Sequence, residues 1–560
     1  MAKLNAIFFL TLIVLIPLGY SADVLDNALI PKFCYLSLGL LAFYLAYFKK
    51  LYVLPFKINW FDLFLLAYLS LSFISIFQAI NKPETLYESL KIVLFVAAYY
   101  MSLFLINEDR DLAFQKIAIA ACIATFLAFS FSINELIDAA KSRLPFKDTS
   151  YLINGLSGHR NLLSSWFLLL IPLNALGFWY KPKWPRILFM LALIIQLIYI
   201  FCLQTRAVYS AILIGFVSFY FLLQLNKAND KWQKVLKNSL KLILAVLGSI
   251  LCIILLLVFF DKFPTLIEFK PESSSSVKER IIVWSKTITM IKEHFFLGVG
   301  AGNWKINFPN QILDGLYRTT QGNIVFARPH NDYLWLWVEL GCFGLLAFLA
   351  FVFTSLKSAY NSITNLKTTN YASILASSGM LVYLIVSLFD FPRERIEHSL
   401  VFFLYMAIIN SSKETKPLTI NFKVKSLYPV VLVLLTFSFY VGYKRYTSEV
   451  EIRKALVFKD EQNYSASLAA IQYAKNSFIV SDNNAVPLVW YEGIANYNMQ
   501  KQNLAFENFI NAYELNPYNY NVIGNVGTVY FQRQDFDTAE NFYLEALRIN
   551  PKFNDALLKI

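Results

Sequence analysis

The residues whose types and spacing suit chemistry are a few arginines and one histidine set against apolar sequence. His330 stands between Arg328 and Asp332 at the predicted edge of a membrane span. A lone histidine is usually structural, but an imidazole flanked by a cation and a carboxylate at a membrane mouth suits proton transfer near neutral pH. Glu339 lies inside the apolar run that follows and needs a partner, which an arginine or histidine across a cavity would supply. Arg206 sits in Gln204-Thr205-Arg206, between two apolar runs with almost no loop to solvate it. Arg160 opens another run, in Gly155-Leu-Ser-Gly158-His159-Arg160-Asn161, and Arg393 and Arg395 follow Asp390, with Glu394 between them. A charge at membrane depth is costly unless paired, so it tends to serve function or to line a polar cavity. The plainer reading is an interfacial arginine snorkelling to phospholipid phosphates, or, for Arg393 and Arg395, pairing with Asp390 and Glu394.

The elements that must position these side chains are membrane helices. Of 560 residues, 57% are hydrophobic and only 16% charged, with mean hydropathy +0.50. Water does not solvate that much apolar surface, which excludes an ordinary cytosolic enzyme and a disordered chain. Apolar runs long enough for a hydrocarbon core of about 30 Å recur. They fall at 6–20, 29–48, 60–80, 86–106, 112–133, 161–180, 187–204, 207–224, 241–260, 333–356, 371–390, 398–410 and 426–443, about 12–13 spans, the short 398–410 run being the marginal one. The fold class expected is all-α, a polytopic helix bundle.

Lysine and arginine set the orientation. Lys3, Lys49, Lys50, Lys57, Arg110, Lys181, Lys183, Arg186, Lys227, Lys231, Lys413 and Lys416 lie in one set of loops, and the alternate short loops carry few such residues. The rich set is therefore expected inside. The net charge of +13 is in large part this topology signal and not a nucleic-acid footprint. The N-terminus is then cytoplasmic, and 261–332 and 444–560 face outward. The first outer segment holds the serines 273–276, an amphipathic stretch Val277-Lys-Glu-Arg280-Ile-Ile-Val-Trp284, and a glycine-rich turn Gly298-Val-Gly300-Ala-Gly302-Asn303-Trp304.

The glycine turn lacks the Gly-Lys-Ser/Thr ending of a nucleotide loop. No Asp-x-Asp, His-Glu-x-x-His or Gly-x-Ser-x-Gly occurs in the outer loops, so metal and serine-hydrolase chemistry have little support. Cys34, Cys122, Cys202, Cys252 and Cys342 all lie in apolar stretches without a CxxC, and read as small buried hydrophobes.

The C-terminal segment is polar and repetitive. Gly493, Ala505, Phe509, Ala512 and Pro517 recur 34 residues later as Gly527, Ala539, Tyr543, Ala546 and Pro551, and Ser467, Ile471 and Ala474 suggest a degenerate earlier unit. That period and those residue types resemble the tetratricopeptide repeat, an α-solenoid. Two domains follow: a membrane domain over 1–443 and a repeat domain over 444–560.

Several stretches, in order, resemble the O-antigen ligase-like family, which includes O-oligosaccharyltransferases and O-antigen polymerases. They are Gly158-His159-Arg160-Asn161 before a span, Thr205-Arg206-Ala207 between two spans, and Arg280-x3-Trp284 followed by Leu297-Gly-Val-Gly-Ala-Gly-Asn-Trp304. The last is His330-Asn331-x2-Leu334-x4-Glu339-x-Gly341-x2-Gly344. The resemblance covers about 150–410. It implies a GT-C-like bundle in a bacterial inner membrane with a periplasmic loop and repeat domain. The implied activity is metal-independent, inverting glycosyl transfer, with no cofactor, from a polyprenyl-diphosphate-linked glycan to an acceptor: lipid A core, a protein Ser or Thr, or another glycan. By motif position His330, Arg280 and Arg206 are the catalytic candidates. Arg160, Arg328, Asn331, Asp332 and Glu339 are candidates for holding diphosphate or acceptor, and Asp332 or Glu339 for orienting His330. The order of preference is lipopolysaccharide ligase, protein O-oligosaccharyltransferase, then polymerase. The repeats suggest a protein partner. A non-enzymatic exporter of polyprenyl glycans and a membrane-tethered scaffold are the readings from other classes.

Overall fold

The computed structural model describes residues 2–52, 55–142, 149–155, 158–180, 184–227, 276–314, 316, 326–364, 370–411 and 421–559. The span expected at 241–260, Ser273 to Ser275 and Cys252 lie outside the described residues. The chain forms an all-α, multi-pass membrane protein. Nine described helices are long and apolar enough to cross a membrane, and three shorter apolar helices, Lys3–Leu15, Tyr371–Val386 and Ile396–Asn410, coincide with other expected spans. The first ends at Leu15, where Ile16-Pro17 begins a turn, five residues short of the expected 6–20.

The helices used below are α1 (Ala2–Leu10), α2 (Leu29–Ala46), α3 (Trp60–Ile74), α4 (Lys82–Glu108), α5 (Arg110–Lys141), α6 (Arg160–Trp179), α7 (Arg186–Leu203) and α8 (Arg206–Lys227). After them come α9 (Ser276–Glu293), α10 (Trp304–Asn307), α11 (Asp332–Thr364), α12 (Tyr371–Val386), α13 (Ile396–Asn410) and α14 (Val424–Asp460). The last six are α15 (Tyr464–Ala474), α16 (Leu488–Asn498), α17 (Gln502–Leu515), α18 (Tyr520–Gln532), α19 (Phe536–Ile549) and α20 (Asn554–Leu557). They fall into two compact units.

The first unit comprises residues 1–15, 98–278 and 352–416. Its α6 packs on α5, α7 and α12, and α8 packs on α12. Small residues permit close approach: a side chain at Gly177 would strike Phe189, and one at Gly379 would strike Tyr405. Residues Ile396 to Ile409 of α13 are all buried, its first turn with Glu397, His398 and Ser399 as well as the apolar run from Leu400. One polar cluster in this bundle is tied together by a single hydroxyl. The Thr125 hydroxyl accepts from Asn174 Nδ2 (3.1 Å) and Gln196 Nε2 (2.8 Å), and donates to the Ala121 carbonyl.

The second unit comprises residues 16–97, 279–351 and 417–560. Here α2 packs along α14, and Pro55–Lys57 pairs antiparallel with Asn421–Lys423. Helix α14 is one uninterrupted helix that becomes the first arm of a hairpin with α15. Hairpins α16/α17 and α18/α19 follow, and α20 closes the end. The 34-residue spacing has a physical cause: in both hairpins the glycine faces the aromatic ring of the partner helix. A Cβ on Gly493 would lie 2.6 Å from Phe509, and one on Gly527 2.8 Å from Tyr543. The turn inside each hairpin places a glutamine, Gln500 or Gln534, in the left-handed region. Asn463, Asn519 and Asp535 cap α15, α18 and α19, which accounts for part of the asparagine content.

Candidate functional site

In the second unit the two glycine-containing motifs dock backbone to backbone. Helix α11 breaks at Gly341, whose φ is +69°. There Val299 N–H donates to the Val338 carbonyl (2.9 Å), Gly300 N–H to the Glu339 carbonyl (3.0 Å) and Cys342 N–H to the Phe295 carbonyl (2.8 Å). A Cβ at Gly298 would lie 2.3 Å from the Glu339 carbonyl oxygen, and one at Gly341 1.9 Å from that of Phe296. Both positions therefore require glycine, for conformation and for space.

The other side of the turn rests on the start of α4. Asn303 is fully buried. Its Oδ1 accepts from Asn81 N–H (2.7 Å), and its Nδ2 donates to Thr85 Oγ1 (2.9 Å). Ala301 N–H donates to Ser75 Oγ, and Thr85 Oγ1 donates to the Ala301 carbonyl. Glu339 is 1% exposed. Its Oε1 accepts from Trp335 Nε1 at 2.6 Å and from Trp304 N–H at 3.4 Å. The indole of its own helix and the backbone N–H of the turn thus share one carboxylate oxygen.

The helix start beside this dock carries the candidate base. Asn331 Oδ1 accepts from the N–H groups of Tyr333 and Leu334, both at 3.0 Å, so it caps α11. That gives Asn331 a structural task beside the binding task its motif suggests. His330 precedes it with φ +55°, a conformation few residues other than glycine adopt. Its neighbour Pro329 is clamped, because Trp284 Nε1 donates to the Pro329 carbonyl at 2.7 Å. Arg280 lies one turn earlier than Trp284 on α9, on the same face. Arg280, Arg328, His330 and Asp332 are thus drawn to one corner of this unit; Asp332 is buried, and the other three are half-buried. Helix α9 is further held by Trp304 Nε1 on Thr287 Oγ1 (3.2 Å) and by Lys286 Nζ on the Gln311 carbonyl (3.0 Å). Burial lowers the Lys286 pKa, and Asp314 opposes that shift. The end of α19 meets the same segment, with Leu313 N–H donating to the Ile549 carbonyl and Arg548 to Asn310.

The first unit carries the other arginines. Arg160 is the first residue of α6; it donates to Ser150 Oγ and lies 3.5 Å over the Tyr151 ring. The 150–155 segment is itself fixed by Glu135, which accepts from Asn154 and Gly155 N–H. His159 caps α6 through its ring nitrogen. Arg206 is the first residue of α8, and only Gln204, with φ +50°, and Thr205 separate it from α7. Thr205 Oγ1 donates to Asn161 Oδ1 (3.4 Å), which brings the starts of α6 and α8 together. Arg206 is exposed, and no hydrogen bond or ion pair engages its guanidinium among the described residues. The segment bearing Arg393 and Arg395 leads into α13, where buried His398 meets Ser165 Oγ (2.9 Å) and the Leu162 carbonyl of α6. An apolar cavity of about 290 Å³ lies between α6, α7, α8 and α12, lined by Pro172, Trp179, Leu197, Phe216, Phe219 and Val382 among others.

The structure thus sorts the candidates into two sets. Arg160 and Arg206, with Arg393 and Arg395, belong to the first unit; Arg280, Arg328, His330, Asn331, Asp332 and Glu339 belong to the second. Among the described residues no three His, Cys, Asp or Glu side chains gather as ligands to a metal ion would.

Sequence reasoning missed a set of largely buried charges in the second unit. Glu84 of α4 meets Lys305 Nζ at 3.0 Å and Arg445 Nη2 at 2.7 Å, and the Arg445 guanidinium lies 4.0 Å from the centroid of the Tyr87 ring. Such charges persist only when paired, and removing one partner typically costs about 3–5 kcal/mol. The one signal in the sequence is a glutamate in the first turn of an apolar helix.

Residues 191–349 match the model of the O-antigen ligase family. The match includes Arg206, Arg280, Arg328, His330, Asn331, Asp332 and Glu339, and leaves Arg160 outside. No curated protein matches the chain. The match supports an O-antigen ligase-like family and a membrane glycosyltransferase of ligase or polymerase type.

Proposed function

We propose that the protein moves a preassembled glycan en bloc from a polyprenyl-diphosphate carrier to a hydroxyl acceptor on the outer face of a bacterial inner membrane. The observation that carries this reading is the family match over the segment that holds His330, Arg280 and Arg206.

The chemistry needed is modest. Departure of the diphosphate develops negative charge, which arginine forks neutralise bidentately. By motif position Arg206 and Arg280 are assigned that task, with Arg160 and Arg328 as secondary candidates. Two helix N-termini, those of α6 and α8, meet at the Thr205–Asn161 contact, a setting that favours anions. The apolar cavity suits part of an isoprenoid tail: Phe216 lies ten residues along α8 from Arg206, about 15 Å on the helix axis. His330 takes the proton of the attacking hydroxyl, with Asp332 as the nearest carboxylate in sequence to orient it. Attack opposite the leaving diphosphate inverts the anomeric centre, and no step calls for a metal. In this reading the N-terminus is cytoplasmic, and the loop over 261–332 and the repeat domain are periplasmic.

The acceptor proposed first is the lipid A core, which makes the protein a lipopolysaccharide ligase. The helix hairpins over 445–549 favour a second reading, a protein O-oligosaccharyltransferase, because hairpin repeats of this kind present surfaces to protein partners.

The test is glycan transfer in membranes carrying His330→Ala, Arg206→Ala or Arg280→Ala at matched expression. Each variant is expected to accumulate lipid-linked donor and to lose product, and the product lost, glycolipid or glycoprotein, names the acceptor. Wild-type transfer in all three would overturn the assignment and return attention to an exporter or scaffold.

A further inference from the structure

We propose that Glu84 is a positioning residue for the start of α11, acting through Lys305 and the glycine turn. The link to catalysis rests on the function proposed above; the structural link does not.

Glu84 stands where three parts of the second unit meet. Its own N–H is held by Asn81 Oδ1, so the carboxylate projects from a capped first turn. One oxygen takes Lys305, in the short helix immediately after the glycine turn, and the other takes Arg445 of α14. Gly302 leaves room for it, since a Cβ there would lie 2.7 Å from Glu84 Cγ. Both ion pairs are largely removed from water: side-chain exposure is 12% for Glu84, 15% for Lys305 and 6% for Arg445. In such surroundings charges attract strongly and hold one geometry.

The consequence travels a short way. Lys305 adjoins Trp304, whose N–H and whose stacking on Phe308 fix the turn. Trp304 N–H meets Glu339, and Glu339 meets Trp335 in the first turn of α11. The helix piece from Asp332 to Leu340 is short, ends at the Gly341 break, and starts two residues after His330. A shift of the turn is therefore a shift of the candidate base. Among the described residues, no hydrogen bond or ion pair joins Lys305 or Glu84 directly to a candidate catalytic residue.

The experiment uses full-length protein in lipid nanodiscs. Lys305→Met leaves the Glu84–Arg445 pair intact and cuts only the tie to the turn; Glu84→Gln removes both ties. Two properties are read: hydrogen exchange of the backbone over 298–304 and 331–341, and kcat and KM with a polyprenyl-diphosphate glycan donor. Phe509→Leu, in the repeat hairpins, serves as a control that lowers stability elsewhere. Lys305→Met is expected to raise exchange in both segments and to lower kcat by about tenfold or more, with KM little changed. The control is expected to do neither.

Unchanged exchange in Lys305→Met overturns the proposal, as does an equal fall in kcat in the control. Raised exchange in Lys305→Met beside a wild type that transfers no glycan supports the positioning role and overturns the transferase reading. Lys305→Met carries the test alone if Glu84→Gln does not fold.

Discussion

Trp284 Nε1 donates a hydrogen bond to the Pro329 carbonyl at 2.7 Å, and the residue after that proline is His330. A helix that carries an arginine one turn earlier thus holds the backbone of the candidate base directly. Trp284→Phe keeps most of the ring and loses the donor. The loss is expected to cost about 1 kcal/mol of stability, while kcat falls several-fold and donor KM stays near wild type. Steady-state transfer with a matched thermal melt checks it, and a variant with full kcat would sink the idea that the clamp matters.

Gly298 and Gly341 of the α11 dock face backbone, whereas Gly302 faces side chains first, though all three have positive φ. At Gly341 a methyl group would meet the Phe296 carbonyl at 1.9 Å, with φ +69°. At Gly302, where φ is +74°, the nearest atoms are side-chain carbons of Glu84 at 2.7 Å and Glu88 at 3.0 Å and the Glu84 carbonyl at 3.6 Å. Gly341→Ala is expected to destabilise by at least about 2 kcal/mol through strain and overlap, and Gly302→Ala by less. Melting temperatures of both variants in detergent decide the order.

Arg206 is exposed and engages no partner among the described residues, so its removal should leave stability within about 0.5 kcal/mol. Activity is another matter. Arg206→Lys keeps the charge and loses the fork, so donor KM is expected to rise by about tenfold, and Arg206→Ala should be worse. Equal activity of Arg206→Lys and wild type would remove bidentate phosphate binding from its role.

Asp482, in the repeat region, accepts from Tyr491 Oη (2.8 Å) and from Asn484 and Val486 N–H, and burial raises its pKa in spite of those bonds. A carboxyl whose folded pKa lies above its unfolded one favours the folded state while protonated. That contribution is full below the unfolded value of about 3.9 and is lost as pH rises through the raised folded value. The melting temperature of wild type should therefore lose this contribution over that window, and Asp482→Asn should lack that component of the pH dependence. Identical pH profiles for the two proteins would count against it.

Much of the architecture was legible because hydropathy reports it locally. The runs at 29–48, 187–204 and 207–224 became α2, α7 and α8 with small end shifts. The hairpin spacing was legible because Gly493 and Phe509, sixteen residues apart in sequence, meet within a single hairpin. What escaped was long-range. Glu84 lies 221 residues from Lys305 and 361 from Arg445, and no periodicity links them. The break at Gly341 also escaped, since a glycine inside an apolar run does not say whether the helix bends or continues. Glu339 was read as an ion in need of a partner; one donor it meets, the Trp304 N–H, comes from a turn that only the folded chain brings near. Asn331 carried a capping signal in its position before α11, and its motif drew attention away from it.

Helix α14 runs unbroken from Val424 to Asp460, 37 residues and about 55 Å. A span that continues as the first arm of the hairpins is a mast and not a leash. A leash lets a bound molecule sample a wide volume and thins its local concentration; a mast fixes height and bearing. Whatever rests on the hairpins is offered at one distance from that span. Lengthening the mast by four residues near Lys444 would raise its cargo by about 6 Å and turn it by roughly 40°.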